Sequence, residues 1–71
     1  MNSEKKLRRA HHSELQRARA RLGEIRDALD TAYLCFNDSA DPELTDACIY
    51  EINALRTRYD HVIRHIKSIQ T

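Results

Sequence analysis

Seventy-one residues are enough for one domain only, and chains this short rarely hold a single core without a staple, a metal or a partner. Hydrophobic residues make up 41% and charged residues 32%, with one Gly, one Pro and no Trp, a balance that excludes a disordered tail and a β fold and points to helices. The formal net charge is +1, no run approaches the roughly 18 apolar residues of a membrane span, and the basic start Lys5-Lys6-Leu7-Arg8-Arg9 lacks the apolar region of a signal peptide, so the cytoplasm is the expected location.

From about residue 4 to residue 36 the apolar positions Leu15, Ala18, Leu22, Ile25, Leu29, Ala32 and Phe36 recur at steps of three and four. That is the rhythm of a coiled-coil helix packing along a narrow seam, and at 100° per residue the seven occupy an arc of roughly 100°, enough for one neighbour. Gly23 faces away from this seam. Ser3 is a weak cap because Lys6 stands where a capping box has Glu or Gln, and the Lys and Arg cluster opposes the helix dipole, so the first ten residues are expected to fray.

Asn37 to Asp41 is turn chemistry, a five-residue loop. Asp41 is placed to cap a second helix, with Pro42 at its first position, where a fixed φ helps and a missing N–H is not needed. From about residue 42 to residue 70, Cys48, Ile52, Leu55, Tyr59, Val62, Ile66 and Ile69 repeat the alternation of four and three, while Leu44, Ile49 and Ile63 widen the apolar arc to roughly 160°.

Folding the two arms back antiparallel sets Phe36 beside Leu44, Leu29 beside Ile52, Leu22 beside Tyr59 and Leu15 beside Ile66. The predicted fold is therefore all-α, one domain of residues 1–71 forming an antiparallel two-helix hairpin. The surplus stripe of Leu44, Ile49 and Ile63 is expected to meet another molecule, most simply a second hairpin in a four-helix-bundle homodimer.

Charge supports that expectation. Residues 1–26 carry eight basic and three acidic side chains, residues 27–51 carry seven acidic and none basic, and residues 52–71 carry four basic and one acidic. A hairpin thus has a turn half of −7 and an open half of +8. Two explanations fit: hairpins paired in opposed directions, or a basic open end that contacts an anionic partner such as nucleic acid, a membrane surface or an acidic protein.

Sites of chemistry are scarce. His61 and His65, four apart, offer two nitrogens where zinc needs at least three protein ligands, and His11 and His12 fall near Ile69, so no metal site is predicted. Arg17, Arg19 and Arg21 alternate and so spread around the helix, without a stacking aromatic or a zinc knuckle nearby. Cys35 and Cys48 flank the turn, close enough for a disulfide, but a cytoplasmic setting favours two small half-buried thiols. No nucleophile triad, phosphate loop or carboxylate pair appears, so neither an enzyme nor a cofactor is expected. Tyr50 and Leu34 fall away from the seams and should be exposed, Tyr50 beside Ala47 and Ala54.

The stretch FN-x₃-DPELTDACIYE-x₇-Y, from Phe36 to Tyr59, resembles a family of very short bacterial proteins typified by YaaL, over roughly residues 22–67. Phe36, Asn37, Asp41, Pro42, Leu44, Asp46, Ile49, Tyr50, Glu51 and Tyr59 carry the likeness; Thr45 stands where an aliphatic residue is expected, and the arm before Leu22 shows no motif. The resemblance names a family but supplies no reaction. Asp46, Tyr50 and Glu51, which have no evident packing role, join Leu44, Ile49 and Ile63 as the expected partner-binding residues. The chain also resembles the helical-hairpin aspartyl phosphatases that act on the sporulation response regulator. Their Ser-Gln-Glu-Leu-Asp core falls here on Ile49-Tyr50-Glu51-Ile52-Asn53, where only Glu51 matches and Asn53 replaces the functional carboxylate. The expected function is a small non-catalytic protein-interaction module; the alternatives are a nucleic-acid-binding accessory protein using the basic open end, or a phosphatase-like regulator of a response regulator.

Overall fold

A computed structural model describes residues 2–71 as two α-helices packed against each other, α1 (Asn2–Asp38) and α2 (Pro42–Gln70), with no strand among the described residues. The hairpin is a rod of 61 × 15 × 12 Å. Its radius of gyration, 17.0 Å, far exceeds the roughly 11 Å of a compact globule of this length, so every residue lies near the surface.

The loop is shorter than the sequence suggests. Helix α1 continues through Asn37 and Asp38, and the Ser39 amide still donates to the Cys35 carbonyl at 3.1 Å, leaving only residues 39–41 between the helices. Ser39 closes this loop on itself: its hydroxyl accepts from the Asp41 amide at 3.3 Å and donates to the Asp41 carbonyl at 3.2 Å. Asp41 then caps α2 as predicted, extended at φ −89° and ψ 118°, with its carboxylate accepting from the Glu43 amide at 3.0 Å and Pro42 following. Thr45, out of place in the YaaL-like pattern, donates its hydroxyl to the Asp41 carbonyl at 3.0 Å and so secures the same first turn.

At the other end α1 is helical from Asn2, although its first turns were the ones expected to fray; Met1 lies outside the described residues. The run of Lys, Leu, Arg and Ala has high intrinsic helix propensity, which acts against the unfavourable dipole. Residues 2–12 are nonetheless all exposed, because α1 has eight more residues than α2.

The core is a single file. Ala18, Ile25 and Ala32 of α1 are buried against Ile52, Leu55 and Val62 of α2, with Leu22, Leu29, Tyr59, Ile66 and Ile69 partly buried around them. These are the predicted seam positions. No described side chain is fully enclosed, because two helices leave the outer side of every seam residue open. Phe36 departs from the prediction: it is 38% exposed, and Cys35 takes the inward position facing the buried Cys48.

Candidate functional site: the two flanks of the turn half

A pair of helices has two flanks where their surfaces meet in a groove, and the apolar residues outside the core sort between them. Leu44 is 49% and Ile49 40% exposed, while Ile63 is half-buried. They do not form the single stripe expected of them. Leu44 and Ile49 are five residues apart, about 140° around a helix, and that angle places them on opposite flanks of the seam.

On one flank, a 510 Å³ groove is lined by Ala28, Thr31, Ala32 and Cys35 of α1 and by Leu44, Ala47, Cys48 and Glu51 of α2. Cys35 and Cys48 are joined there by a disulfide, with Cα atoms 6.3 Å apart. This differs from the two separate thiols expected from the sequence. The three-residue loop sets the two positions across the seam at a separation that a disulfide spans, so register makes the bond possible and the redox setting decides how far it forms. Farther from the turn the same flank becomes polar, with a 280 Å³ groove lined by Glu14, Arg17, Ala18, Arg21 and His65. His65 Nε2 stands 3.2 Å from Glu14 Oε1, and Arg17 donates to the Ser13 hydroxyl at 2.7 Å.

The opposite flank is aromatic. One groove of 360 Å³ lies among Tyr33, Phe36, Asn37, Ile49, Ile52, Asn53 and Arg56, and it runs on through Tyr33 and Arg56 into a second, of 400 Å³, with Leu29, Tyr59 and Asp60. Phe36 therefore lies with Ile49, not beside Leu44. The Arg26 guanidinium donates to the Tyr59 hydroxyl at 3.3 Å, a bond that ties α1 to α2 and holds the Arg26 pKa above its usual value.

The remaining candidates sit apart from both grooves or on a rim. Tyr50, 76% exposed, and Leu34, 61% exposed, point away from the seam as the sequence predicts. Asp46 is exposed, and Glu51 rims the cysteine groove; among the described residues no hydrogen bond or ion pair engages the side chain of Asp46, Tyr50 or Glu51. The six named partner residues are thus spread over three sides of the rod. Sequence reasoning missed Tyr33 and assigned Phe36 to the core. The spacing of Tyr33, Phe36 and Asn37 at three and four did mark a second face beside the seam.

Among the described residues no group of three metal-binding side chains forms, and no helix is long and apolar enough to cross a membrane. No protein-family model matches the chain, and neither a curated protein nor a solved structure matches it. The likeness to YaaL-like proteins accordingly rests on the motif residues alone.

Proposed function

We propose that the chain is a small non-catalytic protein-interaction module of the bacterial cytoplasm that works as a homodimer and presents its turn half to partners. The observation carrying this reading is the distribution of apolar surface. Among the described residues, six of the seven large hydrophobic side chains left exposed lie from Tyr33 to Tyr50, in the half that also carries seven acidic residues and no basic one. A single-file core with no enclosed side chain adds the energetic reason, because further burial is available only against another molecule. In the cytoplasm, where thiol pools keep such pairs mostly reduced, Cys35 and Cys48 would work as thiols and close under oxidation.

Light scattering with circular dichroism alongside tests the reading. A helical species of twice 8.3 kDa is the expected result. A helical monomer that captures no partner, and that is unchanged by Leu44→Ala or Ile49→Ala, would remove it.

The nucleic-acid reading has less behind it. Arg17 and Arg21 share their groove with Glu14, and Arg26 is engaged by Tyr59, so the basic half is not one uninterrupted anionic-ligand surface. Steeply salt-dependent binding to DNA or RNA would restore it. The phosphatase-like reading predicts a complex through Tyr50, Glu51 and Asn53, but Glu51 lines the cysteine groove and Asn53 the opposite, aromatic one, and Asn53 brings no carboxylate.

A further inference from the structure

We infer that the aromatic flank is the face on which a second copy of this chain lies, running antiparallel, with Ile49 of each copy against Ile63 of the other. The inference rests on the homodimer reading above and adds the face and the direction.

The face follows from bulk. Tyr33, Phe36 and Ile49 are each about two-fifths exposed and share one groove, whereas the cysteine flank offers mainly Ala and Thr beside Leu44. Large side chains left half-open on a narrow helical face are the ones whose burial contributes most to association.

Register fits the occupant to the face. Ile49, Arg56 and Ile63 are spaced by seven and so stand in one row of α2. Ile49 lies seven residues after Pro42 and Ile63 seven before Gln70, so each is about 10 Å from its own end of the helix. Two α2 helices laid antiparallel with flush ends therefore bring each Ile49 onto the other's Ile63. The same two-fold operation places Arg56 at the dyad, with Asp60 in the same groove as its counter-charge. On α1, Arg19, Arg26 and Tyr33 form the corresponding row, and the operation carries Tyr33 towards Arg19 of the second copy, an arginine against an aromatic ring.

Charge sets the direction. Parallel copies would stack seven uncompensated acidic side chains on seven more, and the basic halves likewise. Antiparallel copies set each acidic turn half along a basic open half.

The test is site-directed cross-linking in chains carrying Cys35→Ser and Cys48→Ser, with folding verified by circular dichroism. Ile49→Cys together with Ile63→Cys should oxidise to a covalent dimer linked 49 to 63, located by peptide mass mapping, while either substitution alone should cross-link poorly. Links of 49 to 49, or efficient cross-linking through Ala47→Cys on the cysteine flank in place of 49 to 63, would overturn the inference while leaving a homodimer standing. A monomer at every concentration would remove both. With the native cysteines retained, Ile49→Asp should weaken self-association at least tenfold and Ala47→Asp should not. The reverse order would likewise assign the interface to the cysteine flank.

Discussion

The two halves of the hairpin are built by the same heptad rule and end up with opposite character. The turn half is tied down by capping, since Asp41, Pro42, Ser39 and Thr45 fix the loop, and under oxidation the Cys35–Cys48 bond closes the seam behind it. It also carries nearly all the exposed apolar bulk and a charge of −7. The open half is held by the core file and, among the described residues, by two polar ties, Arg26 to Tyr59 and Glu14 to His65; Leu7 is the one large hydrophobic residue exposed there among those described, and the charge of this half is +8. A contact surface on the better-fixed half loses less conformational entropy when it is covered, which is the physical advantage of preorganisation. The difference teaches that the half with the fixed loop is also the half with most of the exposed apolar surface.

The sharpest way to break the comparison is to attack the core that both halves share. Leu55→Ala, at a buried position in a file one residue wide, should cost about 3 kcal/mol, with the loss read from the urea midpoint. For so small a domain that is a large share of its total stability, and both halves should lose helicity together. A smaller and one-sided effect is expected from the disulfide. Reducing it, or Cys48→Ser, should destabilise by about 2–3 kcal/mol, the scale for a loop of this length, with amide exchange rising first in the turn half.

Removing the cap is gentler. Asp41→Ala should cost about 1 kcal/mol, measured as a fall in Tm, because the Glu43 amide loses its acceptor. Least of all, Gly23→Ala should stabilise the open half by about 0.5–1 kcal/mol, since an added Cβ there meets nothing within 4 Å and the helix gains propensity. A Gly23→Ala chain with a lower Tm would mean that this face of α1 is covered by something other than solvent.

Much of this was legible in the residues. The three-and-four spacing marked both helices and the core file, and Asp41-Pro42 marked the start of α2 to the residue, because capping chemistry is local. The end of α1 was not legible to the same degree. At 100° per residue Phe36 falls in the middle of the arc of its seam and Cys35 about 100° away, so helix arithmetic alone places Phe36 inward, and only the path of the chain into the loop sets Cys35 opposite Cys48. That Cys35 and Cys48 come within reach of a disulfide follows from a loop shorter by two residues than the turn-forming letters implied.

The division of Leu44 from Ile49 was present in the angular arithmetic but hidden by treating a wide arc as one surface. Only with α1 in place does the seam split that arc into two flanks, and Tyr33 and Phe36 then decide which flank is the richer. The roles of Asp46 and Tyr50 have no such geometric answer within one chain, since both face outward.

The central claim is that this hairpin completes its burial against a second copy of itself. The dependence of Tm on chain concentration tests it most directly, because anything that binds only the folded form raises Tm by mass action. The account predicts a Tm that climbs over a hundredfold range of concentration and does so less steeply at high salt. A Tm indifferent to concentration, with a mass of 8.3 kDa throughout, would contradict it.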